Sequence, residues 1–326
     1  MTDSSAAAQS PLPMPPWLQP ALASLSELNA GGRLPHALLL VGDQLALTLA
    51  SKLGQELLCH SSKRACGQCQ QCQWVDAGSH PDLVLLKPES KSGLILIEQT
   101  RALARNATLT ASGQRIFIIS PADAMNRSAA NSLLKTLEEP PANTIIILCS
   151  SRPGALPATI LSRCQTIILP GPSLEPGPES LSDYLASIAQ DCDASAIAHL
   201  IELTHGRVDD VLGLLGQDVT SADVSVSDDL ADLRSSSVAI AELAARWIDS
   251  GYGEMKLKQL ARLAQVRLKA RVLGDDKDTV NSASGGLTNL WRLYDATNRC
   301  RALLKTSARS ELQLEALLLM WRDSAA

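Results

Sequence analysis

Four cysteines carry the densest chemistry in the chain. Cys59, Cys66, Cys69 and Cys72 follow a C-x6-C-x2-C-x2-C pattern. Thiolates at this spacing can surround one tetrahedral zinc ion and leave no coordination position open, which makes the site structural, since a catalytic zinc needs a vacancy for water. His60 and His80 are near enough to substitute as ligands, and an iron–sulfur cluster is the alternative for the same four cysteines. Such clustering argues for a metal and a reducing compartment rather than for disulfides. The other four cysteines, Cys149, Cys164, Cys192 and Cys300, are scattered and read as small buried apolar residues.

The second group with chemical potential is the triplet Ser162-Arg163-Cys164. A guanidinium is planar, permanently charged and forked, so it suits phosphate recognition better than a lysine. The plainer reading is a surface arginine paired with a carboxylate. Ser162 and Cys164 read as positioning neighbours. Glu138 and Glu139, before Pro140-Pro141, read as interface or solubilising carboxylates at a helix end rather than as catalytic groups.

The elements that must hold these groups are legible from apolar periodicity. Ile116–Ile119 and Ile145–Leu148 are unbroken apolar runs of strand length, as in strands covered on both faces of a parallel sheet. Between them Ala129, Ala130, Leu133, Leu134 and Leu137 repeat at helical spacing, and Pro140 ends that helix. Thr166–Leu169 reads as a third strand directly after the arginine triplet, an edge or neighbouring strand. Leu34–Val41 reads as a strand running into Gly42, Asp82–Leu86 as another, and Ile97–Asn106 as a helix. Alternation of strand and helix over residues 34–169 is the pattern of a doubly wound α/β domain.

Asn131-Ser132-Leu133-Leu134-Lys135-Thr136-Leu137-Glu138-Glu139-Pro140-Pro141, followed by Ser162-Arg163-Cys164, closely resembles the clamp-loader branch of the AAA+ ATPases, continuously from about residue 34 to 169. The resemblance implies an AAA+ P-loop-type α/β parallel-sheet domain over residues 17–171, with a zinc module inserted at about 59–80. A small helical lid (172–217) and an all-α C-terminal collar for oligomerisation (218–326) follow. Residues 1–16, rich in Ser, Ala and Pro, read as a disordered N-terminus. The resemblance further implies a hetero-pentamer with gamma or tau and delta subunits that opens a sliding clamp and places it on primed DNA. In it, Arg163 completes a neighbouring subunit's ATP site.

Against that family's ATPase pattern the nucleotide groups are missing. The phosphate loop should lie at Gly42-Asp43-Gln44-Leu45-Ala46-Leu47-Thr48. Its second glycine and its lysine are absent, and Asp43 places negative charge where phosphates would sit, so no useful ATP binding is expected. Ser120-Pro121-Ala122-Asp123 stands where active relatives carry Asp-Glu-Ala-Asp, so the metal-binding and water-activating carboxylates are replaced by Ser120 and Pro121. Asp209, in Gly206-Arg207-Val208-Asp209-Asp210, aligns with a phosphate-sensing arginine, with Arg207 two residues away.

With 45% apolar but 3% aromatic residues, 326 residues suffice for two or three domains with an aliphatic core. The start has no basic region ahead of an apolar one, and no run of about eighteen apolar residues occurs. A soluble cytoplasmic protein with no membrane partner is expected. The net charge of −5 is uneven: residues 1–171 carry 13 basic and 11 acidic groups, 172–253 carry 3 and 15, and 254–326 carry 13 and 8. That asymmetry favours charged faces meeting other proteins over a uniformly basic nucleic-acid coat. Lys256, Lys258, Arg262, Arg267, Lys269 and Arg271 accompany Leu257, Leu260, Leu263 and Leu268 on a basic amphipathic helix. Such a helix is open to DNA, a membrane or an acidic partner, or is a solvated face over a core stripe. Trp291, Leu293, Leu303, Leu304, Leu312, Leu314 and Leu317–Leu319 are expected to pack a bundle. Two other classes stay open, an autonomous ATPase with an atypical phosphate loop and a zinc-stabilised nucleic-acid-binding module.

Overall fold

A computed structural model describes residues 12–324 except 43, 62–63, 90–92, 108–112, 174, 176, 178, 190–191, 205, 216–225, 236, 274–282 and 304–309. The expectation for residues 1–11, and those for Asp43 and Leu304, lie outside the described residues. The chain divides into two compact units, Met1–Leu215 and Gly216–Ala326.

The first unit is built on five parallel strands: β1 (Ala37–Val41), β2 (Leu83–Leu86), β3 (Arg115–Ile119), β4 (Thr144–Ser150) and β5 (Gln165–Ile168), in the order β2-β3-β4-β1-β5. β3 and β4 are buried at every position, as unbroken isoleucine runs require when both faces are covered. Leu38, Leu39 and Leu40 of central β1 are 0% exposed, each worth about 1.5–3 kcal/mol of transfer free energy. β5 begins one residue earlier than its apolar run and is largely exposed, Ile168 to 79%, because it is an edge with β1 on one side only.

Helices α1 (Gln19–Ala30), α2 (Leu45–Leu58), α3 (Gln70–Asp76), α4 (Ile97–Ala107), α5 (Arg127–Glu138) and α6 (Ala158–Leu161) flank and connect the strands. Helix α5 starts where the Asn126 side chain accepts from the Ala129 N–H at 2.8 Å. It buries Ala130, Leu133 and Leu137 in the same cluster as Leu39, Phe117 and Ile146, and Ala129 is buried as well. The periodicity that marks this helix in the sequence is therefore its core face. Past the Pro- and Gly-rich segment lie α7 (Leu181–Ile188), α8 (Ala194–Thr204) and α9 (Val208–Leu214). Ser180 caps α7 by accepting from the Asp183 N–H at 3.1 Å, and Leu181, Tyr184 and Leu185 are buried.

The second unit is helical throughout its described residues: α10 (Ser227–Ser235), α11 (Ile240–Asp249), α12 (Gly253–Leu273), α13 (Ala283–Leu303) and α14 (Ser310–Ser324). Its core joins Leu243, Trp247, Leu257, Leu260, Leu293, Leu318 and Trp321. Some sequence expectations need correction. Lys256 is not on a solvated face but 3% exposed, held by a carboxylate on another helix. Trp291, Leu303, Leu312 and Leu319 do not join the bundle core: they are 53%, 36%, 58% and 39% exposed.

Candidate functional site

The cysteines come together where α2 ends and α3 begins. Cys59 is the residue after α2, and Cys69 is the N-cap of α3, its sulfur accepting from the Cys72 N–H at 3.5 Å. Gly67 reaches φ +68°, a left-handed turn that glycine adopts without penalty, and this folds Cys66 back so that its sulfur accepts from the Cys69 N–H at 3.4 Å. All four sulfurs lie within 4.8 Å of one another, with Cys59–Cys69 and Cys66–Cys72 at 3.9 Å. Four sulfurs each about 2.3 Å from a tetrahedral ion stand about 3.8 Å apart. The group therefore has the dimensions to hold one metal ion.

The electrostatics agree with that donor set. Backbone N–H groups of Gln68 and Cys69 draw the Cys66 thiol down to about 6, and the Cys72 N–H lowers Cys69. Burial pushes Cys72 up to about 12, so this thiol ionises at neutral pH only when a cation compensates for its desolvation. His80 is no ligand in this arrangement: Nδ1 accepts from the Asp82 N–H at 3.0 Å and Nε2 donates to Gln71 Oε1 at 2.6 Å. Burial depresses its pKa, and the ring edge packs on Trp74. His60 is outside the cluster. Cys149, Cys164 and Cys300 are pushed by burial to about 12, about 11 and about 11, inert thiols all.

At the C-terminal end of β1, Gly42 donates to the Ser150 carbonyl at 3.1 Å, and a Cβ there would stand 3.2 Å from Leu169 Cδ1. Helix α2 then begins at Leu45 with Gln44 as N-cap, whose own side chain makes no capping bond, and Thr48 is half-buried. The Gln44 N–H instead donates to Asp209 Oδ1 at 2.7 Å, a carboxylate from the first turn of α9. Its neighbour Asp210 is occupied by Arg207, with 2.9 Å between Nε and Oδ2. The start of α2, where backbone N–H groups attract anions, is thus met by the chain's own anion.

Beside it, buried Asp123 is consumed internally. Ser150 Oγ donates to Oδ1 at 2.8 Å, and Arg152 Nε and Nη2 donate to Oδ2 at 3.0 and 2.7 Å. Ser120 and Pro121 precede it and bring no carboxylate. A cavity of about 400 Å³ opens at the opposite, N-terminal ends of the strands, lined by His36, Gln114, Asn143 and Thr144 among others, away from Gly42.

Arg163 sits between α6 and β5. Its Nη1 donates to the Thr159 carbonyl at 3.0 Å and to Ser162 Oγ at 3.2 Å, and its Nη2 lies 2.5 Å from Glu138 Oε1. Its side chain is 35% exposed. Cys164 packs against the core cluster. Sequence reasoning found Arg163 but not its carboxylate. It also missed the Asp123–Arg152 pair and the Asp229–Lys256 pair, for which nothing in the spacing gives a signal.

The family model for "DNA polymerase III, delta subunit" matches residues 18–173. The DNA polymerase III subunit delta' of Pseudomonas aeruginosa is 32% identical over 332 residues, 94% of this chain and 96% of that protein. The chain belongs to the DNA polymerase III delta' family. The delta' subunit of Escherichia coli is 36% identical over 166 residues, a match spanning about half of each protein, 48% of this chain and 49% of the relative. DNA polymerase III subunit tau of Salmonella typhimurium is 31% identical over 63% of this chain and 33% of its own. Among solved structures, a DNA polymerase III gamma-subunit-related protein from Thermotoga maritima aligns over 93% of this chain and 99% of its own, at 17% identity and TM-score 0.46. In this delta' family member, none of the described helices is long and apolar enough to cross a membrane.

Proposed function

We propose that this delta' family member is a non-hydrolysing subunit of the clamp loader, assembling with gamma or tau and delta subunits in a hetero-pentamer that loads the sliding clamp onto primed DNA. Its own ATP site is degenerate. The observation that carries this reading is the Asp209 carboxylate, 2.7 Å from the Gln44 N–H at the start of α2. A triphosphate arriving there meets negative charge already seated and finds no lysine between Gly42 and Thr48 to attract it. Ser120 and Pro121 bring no carboxylate for a magnesium ion, and the one carboxylate left in that segment, Asp123, is spent on Ser150 and Arg152.

Arg163 is the group the subunit contributes to chemistry. Its place just ahead of edge strand β5 supports a role as an arginine finger in a neighbouring subunit's ATP site, where it stabilises charge developing on the transferred phosphoryl group. Residues 172–217 act as the helical lid and 218–326 as the oligomerising collar. Cys59, Cys66, Cys69 and Cys72 hold one structural zinc, which fixes the α2–α3 connection and has no position open for chemistry. Replication in the cytoplasm follows from the same reading.

The test is Arg163→Ala in the reconstituted loader. Assembly should persist while DNA-stimulated ATP turnover falls, in trans-acting precedents by about 10³ to 10⁵ where the finger is the main catalytic group. Unchanged turnover removes Arg163 from the mechanism. Titrating the isolated chain with a fluorescent ATP analogue checks the other half, and micromolar binding there overturns the degenerate-site reading.

A further inference from the structure

Helix α5 ends with two adjacent exposed carboxylates, Glu138 and Glu139, and the chain treats them differently. Glu138 Oε1 lies 2.5 Å from Nη2 of Arg163. Glu139 has no ion pair among the described residues. The difference arises from helix geometry: neighbouring residues project about 100° apart, so only one faces the short helix α6 and the turn that carries Arg163.

A guanidinium has five N–H donors in a fixed plane. Here both Nη1 protons have acceptors, the Thr159 carbonyl at 3.0 Å and Ser162 Oγ at 3.2 Å. Glu138 takes the Nη2 side. Nε and the second Nη2 proton have no acceptor among the described residues. Two of the three holding groups come from Arg163's own turn. They anchor the fork at Nη1 from within its own turn. Glu138 is the one contact from a separate element, and it holds the Nη2 end of the fork while leaving Nε and the second Nη2 proton for an oxyanion.

We infer that Glu138 is the positioning residue of Arg163, orienting its guanidinium toward the phosphate of the neighbouring subunit's nucleotide. This rests on the proposal that Arg163 acts in trans. Glu138 touches neither substrate nor reacting atoms and works only through the arginine.

The pair is partly exposed, 35% and 47%, so its coupling is screened and modest. Glu138→Gln keeps shape and removes charge. In the reconstituted loader it should lower kcat for ATP by about two- to fivefold. KM for ATP should be unchanged, because the finger's contact strengthens only as phosphoryl charge develops. Glu139→Gln should behave as wild type. The deciding measurement is the double-mutant cycle: in an Arg163→Ala background, Glu138→Gln should have no further effect. A kcat for Glu138→Gln equal to or above wild type overturns the inference, since the carboxylate would then be a spectator or a competitor for the guanidinium. A Glu138→Gln loss that persists undiminished without Arg163 also overturns it. If Arg163→Ala itself leaves turnover intact, the trans-acting proposal falls and this one with it. If only Glu138→Gln is silent, the proposal stands and the positioning role alone falls.

Discussion

Replacing Lys256 by Met should open the C-terminal unit by about 3 kcal/mol. The Lys256 side chain is 4% exposed, with Nζ 2.7 Å from Asp229 Oδ2, and that carboxylate, 8% exposed, also accepts from Trp247 Nε1 at 2.8 Å. The ammonium lies 5.3 Å from the Trp247 ring centroid. Met fills most of the same volume, so the loss is electrostatic: Asp229 is left charged, buried and short of its main counter-ion. Breaking one partner of a buried pair costs about 3–5 kcal/mol. The lower end applies because Arg246 Nη1, 3.8 Å from Oδ1 and 48% exposed, remains as a weak substitute. Native-state hydrogen exchange over Ile240–Leu273 in the full chain reads the effect directly, as a roughly 150-fold acceleration of the slowest amides. Lys269→Met, on the exposed side of the same helix, is the control and should stay within about 0.5 kcal/mol. Removing both charges, as Asp229→Asn with Lys256→Met, should cost less than Lys256→Met alone. A Lys256→Met variant within about 1 kcal/mol of wild type would falsify the reasoning.

Two other expectations concern the cysteine module. Cys69→Ser should abolish stoichiometric zinc in the purified protein, read by elemental analysis, and lower its thermal stability; a native wild-type protein free of metal refutes the site. His80 is buried neutral with its pKa depressed below 6.5. Below pH 6.5 the unfolded chain binds a proton that the folded chain resists, so this residue's contribution is complete above pH 6.5 and declines as pH falls below it. Urea unfolding from pH 7.5 to 5.5 should therefore show an acid-side loss that is smaller in His80→Gln; identical slopes in the two proteins rule it out.

What could be read from sequence was what is determined locally. The C-x6-C-x2-C-x2-C ligands all lie within the short stretch Cys59–Cys72, so their geometry is set largely by nearby backbone. Ile116–Ile119 and Ile145–Leu148 announce buried strands because they are short, continuous and rich in β-branched isoleucine. The failures are long-range. Lys256 alternates with leucines like any solvated lysine, and only Asp229, 27 residues earlier, decides that it is buried. Trp291 has the composition of a core residue, yet it is 53% exposed. Glu138 was visible as a helix-end carboxylate, but its pairing with Arg163 depends on how α5 and α6 pack. Asp209 stands out by its alignment, whereas its seat on the Gln44 N–H, 165 residues away, is set by tertiary packing alone.

The strand order also has a consequence for synthesis. β1 leaves the ribosome first, yet its lateral neighbours are β4, which begins roughly a hundred residues later, and β5 later still. At about 5–20 residues per second, Leu38, Leu39 and Leu40 wait about 5–20 s for a backbone partner. During that time the nascent chain exposes a flat leucine ribbon of the kind that templates aggregation. Any translation product ending before Gln165 keeps one side of that ribbon open for good.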